Sequence, residues 1–315
     1  MTVFGPLRGA LFGLLTALAG LACEPAASPT QAVSPAPGLA SAPAPAPSAR
    51  GLCWRADIGS STLHLLGSVH VARPDIYPLD PRIEEAFAQS DVLVLELALD
   101  ESAQVGAARR MLELGRLAPG QRLSDVVQPE TWQLLERTQS ERGQSLFGLR
   151  GFRPWFVALT LTTQALERQG FSAENGIDEH FRRAAVDRKR IEALETVDGQ
   201  LQLFAGLAPD AEEQLLRQTL EEIDEYATEL DSAFRLWSAA DAPGLDQLMV
   251  APMEHEYPEM FERLFVARNR AMIERLVEMA KAPGRYFVVV GAGHLVGRSG
   301  IVELLRERGI TSRQL

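Results

Sequence analysis

The sequence predicts an α/β domain in which apolar strands lead to a site at their carboxyl ends and helices fill the intervals. Three observations carry this. Leu63-His-Leu-Leu-Gly67-Ser-Val-His70 and Tyr286-Phe-Val-Val-Val290-Gly291-Ala-Gly-His294 each read as a buried strand that runs out at Gly-x-x-His. Asp91-Val-Leu-Val-Leu-Glu96-Leu97 is a third apolar run, whose terminal carboxylate needs a partner if buried. Between and after these runs lie long segments with apolar residues three and four apart, the helical period. A glycine at each strand end allows a sharp exit that a Cβ would resist. The carboxyl edge of the sheet is where open α/β folds keep their sites. His70, His294 and Glu96 are therefore expected to converge.

In chain order, Met1 to Ala22 carries one basic residue, Arg8, then an apolar run from Ala10 that ends at Cys23. This is an export signal, too short for a membrane span. Small residues before Cys23 suggest lipoprotein processing, with Cys23 as the acylated first residue. Ordinary cleavage near Ala22 is the alternative, because Gly20 stands where a larger aliphatic residue is usual. Residues 24–50 are dominated by Pro, Ala and Ser, with Ala42-Pro-Ala-Pro-Ala-Pro47, a composition that makes a semi-rigid tether. Residues 1–23 are thus expected to be the signal, 24–50 the linker and 51–315 one folded domain, exported and held by Cys23 at the membrane of a bacterial envelope. Glu24 lacks the aspartate associated with inner-membrane retention, which favours the outer membrane.

The formal net charge is −11, and since Arg8, Arg50 and Glu24 contribute +1, the folded part carries −12. So acidic a domain is a poor partner for nucleic acid. Only Cys53 is left to the folded part, so an internal disulfide and a thiolate metal cluster are both excluded. Cys53, at the start of a strand, reads as a buried inert thiol.

The patterning predicts strands at Leu52–Ile58 and Thr62–Val69 joined by Gly59-Ser-Ser, then a helix at Pro81–Ser90 before the Glu96 strand. Helices come next at 102–117, 129–142, 154–169 and 174–188, with Pro129 and Pro154 placed for first turns. In the last of these, Asn175-Gly-Ile-Asp178 is either a capped helix start or places Asp178 near the pocket. Arg190–Glu195 reads as a strand ending in an acid, although Glu195-Thr196 could equally cap the helix at 197–207. Acidic helices run from Pro209 to Met249, and Glu221-Glu-Ile-Asp-Glu225 is a solvated face. The amphipathic stretch Met260–Met279 is interrupted by Arg268 and Asn269, residues usually exposed; because this helix feeds the second Gly-x-x-His strand, it is expected to lie against the site. Gly300–Gly309 is a helix, and Ile310-Thr311 starts an edge strand. The glycines from Gly291 to Gly300 mimic a dinucleotide loop, but Val296 occupies the sixth position of G-x-G-x-x-G, and the chain ends before the required acid.

Gly67-Ser-Val-His70, Val94-Leu-Glu96, Arg153-Pro-Trp155, Gly176-Ile-Asp178, Leu194-Glu195, Arg268-Asn269-Arg270-Ala-Met272 and Val290-Gly-Ala-Gly-His294-Leu, in this order from about Trp54 to Gly309, resemble the TraB/GumN/PrgY family. Related proteins are the Tiki metalloproteases and, more remotely, erythromycin esterases and ChaN-type haem-binding lipoproteins. Ser68 replaces the usual threonine. The resemblance implies a mixed central sheet surrounded by helices. It also implies a site made of the two Gly-x-x-His histidines, the glutamate and the arginine.

Two functional classes are open. As an enzyme, the chain is a metal-dependent, peptidase-like hydrolase of a peptide or small-molecule substrate. His70 and His294 hold Mn²⁺, Co²⁺ or Zn²⁺, Glu96 is a third ligand or the base, and Arg268 stabilises the oxyanion. Gly67, Asp178, Glu195, Asn269 and Gly291 support the pocket. Two histidines and one acid are few ligands for catalytic zinc, so weak or substrate-assisted metal binding, or a metal-free acid–base route through His70 and Glu96, is the variant. As a binding protein, the same residues capture a peptide or haem without turnover. His64, His180 and His255 have no comparable partner and read as structural or exposed.

Overall fold

The computed structural model describes residues 49–315. The expected signal, Cys23 and most of the linker lie outside the described residues. β1 (Leu52–Ile58) and β2 (Ser61–Ser68) form an antiparallel hairpin. α1 (Pro81–Gln89) then leads to β3 (Val92–Leu95). Four helices separate β3 from β4 (Arg190–Ala193), namely α2 (Glu101–Gly115), α3 (Pro129–Glu141), α4 (Pro154–Arg168) and α5 (Ile177–Ala185). Next come α6 (Val197–Ala205), α7 (Pro209–Glu222) and α8 (Tyr226–Ser238). α9 (242–256) and α10 (258–279) each contain a wide π-turn, at Asp246–Val250 and Glu262–Val266. β5 (Arg285–Gly291), α11 (Ile301–Glu307) and β6 (Ser312–Gln314) complete the chain.

The six strands make one mixed sheet in the order β4-β3-β5-β2-β1-β6. The block from β4 to β2 is parallel, and β1 runs antiparallel to both of its neighbours. β5 lies between β2 and β3, which the chain visits in succession. The segments leaving β2 and β3 therefore part on either side of the end of β5 and open a crevice there. The register brings the three ends level, with Ser68 opposite Gly291 and Leu95 opposite Val289.

The central strands read as unbroken apolar runs because both faces are covered: Leu65, Leu66, Leu93, Val94 and Phe287 to Val290 are fully buried. Phe87 of α1 and Phe181 of α5 meet Phe287 with ring centroids 4.8–5.4 Å apart, which seats both helices on β5. Cys53 is buried, and burial pushes its thiol up to about 12, so it stays protonated and inert.

Two expectations are corrected. The helix expected over 174–188 is broken, since a 3₁₀ turn at Ala173–Asn175 stops at Gly176 and α5 begins afterwards. A Cβ on Gly176 would stand 2.2 Å from the His70 carbonyl oxygen, so only glycine lets the two backbones meet there. Nor does Gly67 provide a sharp exit. It lies inside β2, where a Cβ would stand 3.0 Å from Ala292 Cα, and its role is close packing of the two Gly-x-x-His segments.

Arg153, before α4, donates to the Ala205 carbonyl at 2.9 Å and pairs with the buried Glu212 of α7. Burial raises the Glu212 pKa despite this partner. The Arg-Pro-Trp motif is thus a structural clamp between α4 and α7. Replacing Arg153 by methionine should cost about 3–5 kcal/mol in urea unfolding by leaving a buried carboxylate unpaired, and an added Glu212→Met should recover most of it.

Candidate functional site

Glu96 follows the last residue of β3 and is 4% exposed. Its Oε1 accepts the Gly291 N–H at 2.7 Å, and its Oε2 accepts Arg268 Nη2 at 2.8 Å and Gln200 Nε2 at 3.1 Å. Burial pushes the Glu96 carboxyl up, but Arg268, then His294, His70 and the Gly291 amide outweigh it and hold it down to about 2. A Cβ on Gly291 would stand 3.2 Å from His70 Nε2 and 3.3 Å from Glu96 Oε1, so this glycine is the floor of the site.

His70 lies two residues beyond β2, and its Nδ1 bonds Asp178 Oδ2 at 2.8 Å, while Ser68 Oγ donates to Asp178 Oδ1 at 2.9 Å. The break at Gly176 is what places Asp178 here. Burial lowers the His70 pKa, but the charge and hydrogen bond of Asp178, helped by Glu96, raise it to about 9. His70 is therefore an imidazolium at neutral pH. His294, in the turn after β5, takes Asn269 Oδ1 as its Nδ1 partner at 2.5 Å, and Asn269 Nδ2 donates to the Ser299 carbonyl at 2.8 Å. Burial and then Arg268 press its pKa down to about 3, so His294 is neutral, with its proton on Nδ1 and its Nε2 lone pair free. The two Nε2 atoms lie 4.0 Å (His70) and 3.8 Å (His294) from the same oxygen, Glu96 Oε1.

Arg268 and Asn269 are buried rather than exposed, at 6% and 1%. The wide turn Glu262–Val266 just before them carries one residue more than an α-turn and re-aims the side chains of the next turn. Arg268 gives Nε and Nη2 to Glu195 at 2.8 and 2.5 Å, Nη2 also to Glu96, and Nη1 to the Leu264 carbonyl at 3.2 Å. Four of the five guanidinium N–H groups are thus committed, so its main task is to hold the two carboxylates, with a single N–H left for an oxyanion. Burial works against its charge, but Glu195 and Glu96 prevail and its pKa is raised.

Gln200 is the site residue that the sequence pattern does not reveal. One turn into α6, it bridges Glu96 and Glu195 through Nε2 while its buried Oε1 has no partner. A glutamine on a helix gives no hint of burial; the only signal is its place five residues after the strand-end Glu195. Trp237 of α8 is missed likewise, its Nε1 donating to the Gly67 carbonyl at 2.6 Å.

Among the described residues, no three His, Cys, Asp or Glu side chains are spaced to hold a metal ion as they stand. The donor set is nevertheless suitable: two imidazole Nε2 atoms face one carboxylate oxygen, and each ring is fixed through Nδ1 by an outer acceptor, the arrangement that orients metal-ligating histidines. Two donors about 2.1 Å from one ion stand at most about 4.2 Å apart. The separations of 4.0 and 3.8 Å fall inside that limit and need to close by about half an ångström for ordinary angles. The cavity above these atoms is about 40 Å³, far short of what a haem needs.

The TraB/PrgY/gumN family model matches residues 52–314. The chain belongs to that family. YbaP of Escherichia coli K12, itself uncharacterized, is 29% identical over 251 residues, 79% of this chain and 89% of its own length. The metalloprotease TIKI1 of Danio rerio is 21% identical over 297 residues, 78% of this chain but 59% of its own length. An uncharacterized Treponema pallidum protein is 21% identical over 272 residues, 81% of this chain and 80% of its own. No solved structure matches.

The opposed histidine shifts make stability pH-dependent in the metal-free protein. The His294 contribution is complete above about 6.5, where the unfolded imidazole is also neutral, and is lost as pH falls towards about 3. The His70 contribution is complete below about 6.5 and is lost as pH rises through about 9. In chelator, Tm should therefore peak near pH 6.5, with Asp178→Asn removing most of the alkaline decline. A wild-type Tm that holds level from pH 6.5 to 9 would contradict a charged His70.

Proposed function

We propose that this chain is a hydrolase of peptide or ester bonds, acting at the carboxyl ends of β2, β3 and β5, with a divalent ion held by His70 Nε2, His294 Nε2 and Glu96 Oε1. The observation that carries the reading is that both Nε2 atoms face one carboxylate oxygen while both Nδ1 atoms are tied from behind. Membership of the family, with a metalloprotease among its distant relatives, supports it. Mn²⁺, Co²⁺ and Zn²⁺ all suit such donors.

When bound, such an ion supplies an acidified water and polarises the carbonyl under attack. Arg268, Gln200 and the Gly291 amide keep Glu96 ionised and aimed. Asp178 and Asn269 fix the two rings. Arg268 lines the cavity, and its one uncommitted Nη1–H is the group that would meet a carbonyl oxygen there.

The split between the histidines favours a second, metal-free reading. A charged His70 can give a proton to the leaving group, while the neutral His294, a weak base, offers its Nε2 lone pair to an attacking water as a hydrogen-bond acceptor. Arg268 is a positioning residue in both readings.

We also infer that the protein is exported and lipid-anchored through Cys23. No helix of the described residues is long and apolar enough to cross a membrane. Cys23→Ser should abolish labelling by radioactive palmitate and release the protein from the membrane fraction.

The deciding measurement is metal content with thermal unfolding. At about 100 times Kd the right ion should add about 2.7 kcal/mol of stability, several degrees in Tm, and both His70→Ala and His294→Ala should lose the shift. Absence of bound metal and of any shift, with ester turnover persisting in chelator, would leave the acid–base route in its place.

A further inference from the structure

The cavity is lined by the polar side chains of Ser68, His70, Arg268 and His294 and by an apolar roof, Leu230, Ala233 and Trp237 of α8, Leu245 and Met249 of α9, and Phe265 of α10. Trp237 has spent its only polar group on the Gly67 carbonyl, so this roof offers no donor or acceptor side chain to a bound group. Both π-turns contribute to it. Asp246–Val250 carries Met249, and Glu262–Val266 carries Phe265, whose ring lies tilted against that of His294 with centroids 5.1 Å apart. Inserted residues of this kind re-aim side chains at functional sites. The space left, about 40 Å³, is a few times the roughly 10–15 Å³ that a single water needs and far below the roughly 150 Å³ that holds a benzene ring.

We propose that this cavity is the acyl subsite of the hydrolase, and that it admits a short aliphatic group of one or two carbons on the carbonyl under attack: an acetyl or propionyl ester, or the methyl side of an alanyl bond. The proposal rests on the hydrolase reading of the same site. Water adds to the carbonyl carbon, the bond to the leaving oxygen or nitrogen breaks, the leaving group takes a proton, and the short acid remains under the roof. Met249 and Phe265 set the length limit. A hydroxyl or charge on the acyl group would find no partner among these side chains, whereas each excess methylene would have to displace them.

The test uses two series on the full protein loaded with the ion that raises its Tm, or metal-free if none does. The first is turnover of p-nitrophenyl acetate, propionate, butyrate and hexanoate. The second, independent of turnover, is thermal-shift titration with the corresponding carboxylates and with lactate. Expected is a kcat/KM for acetyl or propionyl at least 10-fold above hexanoyl, since a misfitting methylene is worth roughly 10–200-fold. Propionate should bind, and lactate should bind at least 10-fold more weakly. Met249→Ala should move both optima to longer chains, and Leu230→Ala serves if that variant does not fold. If the carboxylates show this length order while no ester turns over, the subsite stands and the hydrolase reading falls. Turnover or binding that is indifferent to chain length, lactate binding equal to propionate, an optimum unmoved by both variants, or no binding and no turnover at all would overturn the subsite.

Discussion

Everything at the carboxyl edge of the sheet depends on keeping one ionised carboxylate, Glu96, out of water. A charge so buried is tolerated only when paired and fully hydrogen-bonded. Arg268, Gln200 and the Gly291 amide meet that demand from three separate elements, α10, α6 and β5. The requirement thus ties the long carboxyl-terminal helix and the β4–α6 turn to the end of β3. The same contacts leave Arg268 a single uncommitted N–H.

Around that carboxylate the two histidines are alike in motif and opposite in state. Each is held through Nδ1, but His70 by a carboxylate and His294 by a neutral amide. An anionic acceptor stabilises the imidazolium. A neutral amide does so far less, burial works against the charge, and the nearby guanidinium disfavours a second positive charge. The outer residues Asp178 and Asn269 therefore decide what each ring can do, as donor or base without metal and as oriented ligand with it.

The roof of apolar side chains from α8, α9 and α10 lines the same cavity as Ser68, His70, Arg268 and His294, so the charges there lie in a low dielectric, where they act strongly. Both π-turns fall in this roof, and the one in α10 directly precedes Arg268 and Asn269. The cavity lining and the placing of Arg268 and Asn269 thus share one structural device.

Periodicity and composition alone establish the strands, most helices, the edge strand after Ile310 and the gathering of two Gly-x-x-His segments with Glu96, because buried parallel strands leave unbroken apolar runs and glycine marks close backbone approach. The break at Gly176 and the burial of Arg268 and Asn269 do not follow from patterning, since a local period says nothing of which backbone presses on which. Gln200, Trp237 and the π-turns are invisible for the same reason. Residue order thus singles out His70, Glu96 and His294 as candidates and the strands they follow, while Arg268 enters through the family resemblance. Their protonation, their outer partners and the size of the space above them arise only in the assembled fold, because burial, charge and volume are properties of groups brought together from distant parts of the chain.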